Sequence, residues 1–443
     1  MTNTVAGAGP PGPDVSGTVA GADPPGPGVS GTVEAGGRQV DPLRERRFVT
    51  FAAARTISVF GNAMGPLALT FAVLDLPDGS APALSLVLAA ISVPRIALML
   101  LGGVIGDRLP RHLVLVAAEL MCGTAYAAMT VLVLTGRAGV ASLAVCAAVA
   151  GTASALLLPS LNGLTAELVA PGARQRGNAV LRLGTNTATV AGFAAGGTLI
   201  AWLGPGWALA LDTATFAVAA GLLARLRLDR ARRTTGRNLP AQLRDGWREF
   251  VSRRWLWQIV LAAAVVNAAV GVTFGLAGPL VARTHLGGAG AWSAVLAGYA
   301  VGMFAGVLVA MRVRTTRPLR LAVLAVSMLG LPALLLGSGA ALPVVVLAAV
   351  LAGVAFDVFG VLWETTVQSE VPVEAMSRVS AYEWLGAVGL GPPVMIAAGF
   401  VVPEIGVRPA LLCLAGVIFV AALVPLVSSS VRHYERQPDG RVH

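Results

Sequence analysis

Long apolar stretches alternate with short polar connections along the chain from Phe48 to Ser428. Each stretch has about 20 residues, and a helix of that length crosses a hydrocarbon core of about 30 Å. Twelve stretches follow one another, at residues 48–74, 82–106, 112–134, 139–162, 178–202, 206–225, 256–282, 291–311, 319–338, 341–364, 380–402 and 407–428. The pattern predicts an all-α membrane protein with twelve transmembrane helices, six in each half of the chain.

The amino-acid composition excludes a water-soluble fold. Hydrophobic residues make up 56% of the chain and charged residues 12%, whereas soluble domains contain about 25% charged residues. All 32 basic residues are arginine, so the chain lacks both the lysine of a phosphate-binding P-loop and a lysine for Schiff-base chemistry. We therefore expect no cofactor, and ATP-driven transport would require a separate subunit.

The arginines that give the chain its net charge of +10 are concentrated in alternate loops. One set of loops and the tails contains Arg44, Arg46, Arg47, Arg108, Arg111, Arg174, Arg176, the arginines of residues 225–254, Arg312, Arg314, Arg317, Arg320, Arg378, Arg432 and Arg436. The opposite loops contain only Arg137, Arg283 and Arg408. Because cytoplasmic loops retain basic residues, we predict that both termini are cytoplasmic, in a bacterial cytoplasmic membrane.

Polar segments divide the chain into five parts. Residues 1–47 form a tail rich in proline and glycine, for which we expect disorder; it lacks the pattern of a signal peptide, so insertion should begin at the first helix. Residues 48–225 and 256–428 are the predicted helix bundles. Residues 226–255 form a linker that includes an amphipathic helix typical of a membrane interface, and residues 429–443 form a second tail.

The second half of the chain repeats features of the first. Three positions recur with the same offset: Arg176, Ala179 and Gly184 correspond to Arg378, Ala381 and Gly386. Two halves related by a parallel repeat are typical of transporters that alternate access to one central site. The repeat therefore predicts two pseudo-symmetric six-helix bundles.

A loop motif joins the second and third predicted helices, with the sequence Gly103-Val-Ile-Gly106-Asp107-Arg108-Leu-Pro-Arg111-His112. It resembles the loop signature G-x-x-x-D-R-x-G-R-R of the major facilitator superfamily, with Pro110 where glycine is usual. The resemblance implies the major facilitator fold and a cytoplasmic gate, in which Asp107 accepts hydrogen bonds at the start of the eleventh helix near Arg378. The two glycines of the motif permit close helix approach.

Further stretches resemble a drug-exporter and secretion-effector branch of that superfamily, which includes siderophore and macrolide exporters. They are Arg55-Thr-Ile-Ser58-Val-Phe-Gly61-Asn62, Asp212-Thr-Ala-Thr-Phe216, Leu362-Trp363-Glu364-Thr-Thr-Val-Gln368 and Arg378-Val-Ser-Ala381. The fifth helix contains Gly192-Phe-Ala-Ala-Gly196-Gly197, which resembles an antiporter signature with Phe193 in place of proline. We expect these glycines to allow close packing, and Gly391 and Pro392 to bend the eleventh helix.

Ionisable residues inside a membrane are costly, and they indicate function by default. The candidates for proton or ion coupling are Asp357, Asp212 and Glu119, and the candidates for a charge in the transport cavity are Arg95 and Arg55. For Arg55 and Glu119, a position within reach of the headgroups is an equal alternative. The candidate substrate contacts are Asn62, Asn186, Asn267 and Trp363, and core packing or a hydrogen bond between helices is the alternative for each of them.

These observations predict a secondary active transporter that exports a small organic molecule by proton-coupled alternating access. Its expected partners are the substrate, protons and lipids, with no nucleic acid, and the expected state is a monomer. An importer or uniporter is the alternative, followed by a receptor without transport. An enzyme is not expected, because the four histidines lie in loops or the tail, and the three cysteines lack the spacing of a metal or redox site.

Overall fold

A computed structural model describes residues 45–108, 111–169, 173–226, 239–313, 315–432 and 434. Within those residues the secondary structure is helical, without a strand, which confirms the predicted all-α class. The predicted tail at residues 1–47 lies almost entirely outside the described residues, and so does most of the tail at residues 429–443.

The helices follow the predicted order. The first six are Arg46–Leu74, Ala81–Arg108, Arg111–Leu134, Val140–Leu168, Arg174–Leu203 and Pro205–Ala224. A linker helix, Leu239–Ser252, comes next. The seventh to tenth are Arg254–Leu286, Ala289–Ala310, Pro318–Ser338 and Leu342–Glu370. The eleventh consists of two segments, Val373–Val388 and Gly391–Ile405, and the twelfth is Val407–Val427.

Eleven helices of the described chain are long and apolar enough to cross a membrane. The remaining predicted crossing is the fifth helix, which has 30 residues and exceeds the length that a crossing needs. Its composition is more polar because it contains Arg176, Arg182, Asn178 and Asn186 as well as several threonines. The polar residues therefore distinguish this helix from the other eleven in composition and not in length.

Several helices extend beyond the apolar stretches that predict them. The fourth continues to Leu168 and the tenth to Glu370, six residues beyond each predicted end at 162 and 364. Backbone hydrogen bonding continues through polar residues once a helix has formed, because each added residue contributes one further bond. Apolar length therefore underestimates helix length at the end of the bundle that contains most of the loop arginines.

The eleventh helix is interrupted where the sequence predicts a bend. Its first segment ends at Val388 and its second begins at Gly391. Pro392 and Pro393 have no backbone N–H to donate to the preceding turn, so the helix cannot continue unbroken through them. The seventh helix also departs from regular geometry, with two π-helical turns, Thr273–Ala277 and Ala282–Leu286.

The two halves share one hydrophobic core at only one end of the bundle. We call this the arginine-poor end; the first helix ends there at Leu74, and the opposite end is the arginine-rich end. The shared core includes Leu74 and Leu84 of the first half together with Trp292 and Val402 of the second. At the arginine-rich end the halves have separate cores. Among the described residues, the halves are therefore closed against each other at the arginine-poor end.

Two close helix crossings hold that end together. The fifth helix meets the eighth where Gly197 faces Ser293, and the second meets the eleventh where Ser85 faces Gly399. A Cβ atom added at either glycine would overlap the serine side chain. Small residues permit such approach between membrane helices, where packing replaces the hydrophobic driving force.

A polar contact between the halves lies at the same end. The guanidinium group of Arg283 lies 3.3 Å from the Asp75 carboxylate and also donates a hydrogen bond to the carbonyl oxygen of Leu74. Partial burial raises the pKa of Asp75, and the charge of Arg283 opposes that rise. The pair is about half exposed, so its contribution is small compared with the packing around it.

We expect Gly197→Ala to open the arginine-poor end, because the new methyl group would push the fifth and eighth helices apart. The measurement is electron–electron double resonance between spin labels at Thr135 and Ala340, in a chain from which Cys122, Cys146 and Cys413 have been removed. Distances longer than those of the parent chain should gain population.

Gly416→Ala is the matched control, because no atom lies within 4 Å of the position of its added Cβ. An unchanged distance distribution in Gly197→Ala, with the control also unchanged, would show that this crossing does not hold the halves together.

Candidate functional site

The loop motif lies at the arginine-rich end. The second helix ends at Arg108 and the third begins at Arg111, so only two residues separate them. The surroundings of Gly103 and Gly106 and the side chains of Asp107, Arg108 and Arg111 are outside what the structure describes, and the proposed contact of Asp107 stays a prediction.

Arg378 belongs to the predicted partner region of the gate, and it packs against the linker helix. A Cβ atom at Gly246 would lie 2.8 Å from the Cβ atom of Arg378. The rings of Trp247 and Phe250 both lie near that of Tyr382, with centroid distances of 5.4 and 6.3 Å. Part of the amphipathic helix therefore contacts protein rather than lipid, while Trp247 remains 52% exposed.

Two carboxylates are buried inside the first half. Glu119 of the third helix is 4% exposed and Asp212 of the sixth is 0% exposed. One oxygen of each, Glu119 Oε2 and Asp212 Oδ2, is buried without a hydrogen-bond partner. Because an unpaired buried polar atom is costly, these two atoms distinguish the site from ordinary helix packing.

Polar groups of the first helix surround Glu119. The hydroxyl of Ser58 donates a 2.9 Å hydrogen bond to Glu119 Oε1, and the amide of Asn62 donates to the Ser58 carbonyl oxygen at 2.9 Å. Arg55 lies one turn before Ser58, close enough to act electrostatically on Glu119. The structure thus brings three sequence candidates, Arg55, Asn62 and Glu119, into one polar group.

Asp212 fits against two glycines of the first helix. A Cβ atom at Gly61 or Gly65 would overlap its carboxylate oxygens. The hydroxyl of Thr215 lies 3.2 Å from Asp212 Oδ1 and donates to that oxygen. Glycine at these two positions creates the space that a carboxylate occupies, so the sequence of the first helix is adapted to the acid on the sixth.

Asp357 lies on the tenth helix beside Gly306 of the eighth, where an added Cβ atom would be 2.9 Å from the Asp357 Cβ atom. It is partly buried. Arg182, on the fifth helix of the other half, is close enough to act electrostatically on the carboxylate. An acid from one half is therefore near a base from the other, although the pair is not a direct salt bridge.

Arg95 follows Pro94 in the second helix, and its side chain is exposed. Within the described residues, no acid lies within salt-bridge distance of it. The place of Arg95 as a charge in the transport cavity stays a prediction.

The predicted packing glycines of the fifth helix lie at contacts with the first. A Cβ atom at Gly192 would overlap the carbonyl oxygen of Phe60, and one at Gly196 would lie 3.0 Å from the Met64 side chain. Gly197, the next residue, forms the crossing with the eighth helix described above. Three neighbouring glycines thus serve two different contacts.

Of the predicted substrate contacts, Asn267 and Trp363 both make interhelical hydrogen bonds. The Asn267 amide donates to the carbonyl oxygen of Ala387 at 3.0 Å, and the Trp363 indole donates to the Glu383 carboxylate. Both residues line a cavity within the second half. Asn62 and Asn186 lie on the first and fifth helices and are at least partly exposed.

Two charged residues of this region, Glu383 and Arg182, are absent from the sequence candidates. Both lie within the first few residues of a predicted crossing, where a charge is expected to reach the headgroups. The signal that could have identified Glu383 is its place between Tyr382 and Trp384, since aromatic neighbours indicate a site that is not simply solvated.

We expect Gly65→Ala to destabilise the first half, because the methyl group would displace Asp212. Overpacking of this kind typically costs about 1–3 kcal/mol, and the unfolding temperature in detergent should fall. Adding Asp212→Ala should reverse part of this loss, because the shorter side chain leaves room for the methyl group.

Gly221→Ala, on the same helix as Asp212 and facing open space, is the control and should leave the unfolding temperature unchanged. The unfolding temperature is measured by tryptophan fluorescence on heating. If the decreases caused by the two single substitutions simply add in the double variant, residues 65 and 212 are not in direct contact.

Among the described residues there is no cluster of three or more histidine, cysteine, aspartate or glutamate side chains suited to a metal ion. A sequence comparison with curated proteins finds no match. The sequence model of the Major Facilitator Superfamily matches residues 48–386.

Solved structures share the architecture at low sequence identity. A POT family peptide transporter in an auto-inhibited state has a TM-score of 0.72 at 12% identity, over 90% of this chain and 99% of that chain. The nucleoside transporter NupG has a TM-score of 0.67 at 13% identity, over 86% and 99%. A bacterial homologue of the human lysosomal transporter Spinster, inward-facing and unoccupied, has a TM-score of 0.62 at 15% identity, over 90% and 99%.

Identities this low show a common fold and do not show a common substrate. The family match, in contrast, covers most of the chain and includes the loop motif and both buried acids. The chain therefore belongs to the Major Facilitator Superfamily and is a secondary transporter of that type.

Proposed function

We propose that this transporter exports a small amphipathic organic compound, such as a drug, an antibiotic or a siderophore-like metabolite, in exchange for protons. The resemblance of four sequence stretches to the drug-exporter branch supports the direction and the substrate class. In this proposal the protein acts as a monomer in a bacterial cytoplasmic membrane, with both termini and the arginine-rich end facing the cytoplasm.

The observation on which the proposal rests is that Asp357 lies close enough to Arg182 for the two charges to act on each other. The two residues belong to different halves, and among the described residues the halves share a core only at the arginine-poor end. A proton on Asp357 would remove its attraction to Arg182, because that attraction requires the charged carboxylate. Protonation would thereby change the free energy of holding the two halves together, which is the coupling that exchange requires.

The proton gradient supplies enough energy for this function. One elementary charge that crosses about 100 mV releases about 2.3 kcal/mol. Since a tenfold concentration ratio requires about 1.4 kcal/mol, one proton supports a gradient of roughly fifty-fold. The proposal therefore needs no ATPase.

Glu119 and Asp212 have a different place in the proposal. Both are enclosed within the first half, and each has an oxygen without a partner. We assign them to proton binding that depends on the conformation of the first half, with Asn62 and Ser58 connecting Glu119 to the first helix. Asp357 remains the coupling residue between the halves.

An importer or uniporter of a small metabolite is the rival function. The solved relatives named as nucleoside and peptide transporters favour it, because the same fold transports such solutes there. The rival and the proposal differ in the direction of net movement. A sensitivity screen of a deletion strain against drugs and metabolites gives hypersensitivity for an exporter and resistance, or loss of growth on a nutrient, for an importer.

We expect Asp357→Asn to abolish transport driven by a pH gradient while leaving counterflow exchange intact, because exchange needs alternation but no net proton movement. The measurement uses proteoliposomes and the radiolabelled compound that the screen identifies. Glu364→Gln, an exposed position on the same helix, is the control and should behave like the parent protein.

If Asp357→Asn transports the compound at the parent rate when a pH gradient is the driving force, Asp357 is excluded as the coupling residue. Loss of both transport modes would instead mean that the carboxylate is needed for alternation itself, and coupling would then have to be assigned elsewhere.

For the gate at the arginine-rich end, we expect Asp107→Asn to lower the transport rate by about tenfold, because a neutral amide is a weaker acceptor for the N–H groups at a helix start. Membrane insertion should be normal. Asp78→Asn, in an exposed loop at the other end, is the control. An unchanged rate in Asp107→Asn would remove the gate from the proposal.

A further inference from the structure

A cavity of about 400 Å³ lies wholly within the second half of the chain. Its walls come from the seventh, ninth, tenth, eleventh and twelfth helices, and none of the described side chains of the first half lines it. The described part of the cavity is therefore formed by one half alone. Small-molecule pockets in proteins have volumes of about 300–1,000 Å³, so this cavity is large enough for a compact organic ligand.

The cavity exists because small side chains meet there from several helices. Ala263 of the seventh helix, Gly360 of the tenth, Ala387 of the eleventh and Ala422 of the twelfth all line it. Protein interiors are otherwise close-packed, with few voids larger than a water molecule. A space of this size is unusual for a purely structural bundle core.

One carboxylate faces this space. Glu383 lines the cavity, and within the described residues its one hydrogen bond comes from the indole N–H of Trp363. The two ion pairs of the described chain involve other residues, so Glu383 has no cation beside it there. A carboxylate inside a membrane helix bundle is costly without a counter-charge.

Aromatic rings adjoin the carboxylate. Phe356, Phe359, Trp363 and Trp384 line the cavity, and the rings of Phe359 and Trp363 stack with a centroid distance of 6.0 Å. The faces of tryptophan and phenylalanine attract cations that lie within about 6 Å of the ring centroid. Carboxylate and rings thus favour the same ligand, a cation with an apolar body.

We propose that this cavity is a binding site for an amphipathic organic cation, with Glu383 as the counter-charge and the surrounding rings as the apolar wall. The site is built from the second half of the chain, and it does not depend on the direction or the coupling proposed above. Glu383 and Trp363 together fix the polar side of the ligand, and the alanine-lined side accommodates its body.

The experiment measures binding of radiolabelled tetraphenylphosphonium to the purified full chain by scintillation proximity, without a gradient. The parent protein should bind the cation, and 1-aminoadamantane, which is protonated at neutral pH, should displace it more effectively than the uncharged 1-adamantanol. Glu383→Gln should weaken binding about tenfold, because the amide can still accept the indole hydrogen bond but has no charge.

Two further variants complete the test. Glu404→Gln removes an exposed acid at the far end of the eleventh helix and should leave the affinity unchanged. Ala263→Phe should abolish binding, because the larger side chain occupies the cavity. Parent affinity in either Glu383→Gln or Ala263→Phe would overturn the proposal, and so would equal displacement by the charged and uncharged adamantanes.

The outcome is independent of the proposed export function. Binding that requires Glu383 supports the site even if the protein imports its substrate. Export of a compound by a protein that does not bind tetraphenylphosphonium would overturn the site alone.

Discussion

The structure depends on how closely helices can approach one another where no water drives them together. In a bilayer the contact between helices comes from packing and from hydrogen bonds, and small residues make close packing possible. The two halves of this chain meet through two such crossings, Gly197 with Ser293 and Ser85 with Gly399. Both lie at the arginine-poor end, within a core to which both halves contribute. At the opposite end each half fills its own core, so the closure of the molecule is determined by a few small side chains.

The scarcity of water inside the bundle also constrains the surroundings in which the chain can place its carboxylates. Glu119 and Asp212 are enclosed by the first half and approach glycines and hydroxyl groups. Asp357 lies near Arg182 of the other half, and Glu383 lines an aromatic cavity. The free-energy cost of burying a carboxylate is offset differently at each location. Hydrogen bonds offset it at Glu119 and Asp212, the charge of Arg182 does so at Asp357, and a cation that enters the cavity would do so at Glu383. The differences in surroundings indicate different roles more clearly than the residue type does.

Much of the fold follows from the sequence because apolar length and arginine position are direct consequences of the bilayer. The all-α class and the order of the helices are predicted in this way, and even the polar fifth helix is predicted from its stretch at residues 178–202. The ends at Leu168 and Glu370 are not, because helices continue past the apolar residues that reveal them. Glu383 and Arg182 are missed for a related reason: their partners, Trp363 and Asp357, lie on other helices, and a single sequence does not show which helices adjoin. The role of Asp107 rests on resemblance and stays a prediction.

The interruption of the eleventh helix has a consequence for how force passes through the second half. The segment Gly391–Ile405 lies against the second helix at the Ser85 crossing, while Val373–Val388 contacts the linker and seventh helices. Near the break, the carbonyl oxygen of Ala387 accepts a hydrogen bond from the side-chain amide of Asn267. A helix divided in this manner is not a stiff lever. Because the helix is interrupted between the two segments, a shift of Gly391–Ile405 need not move Val373–Val388, the segment that contacts the linker helix, by the same amount.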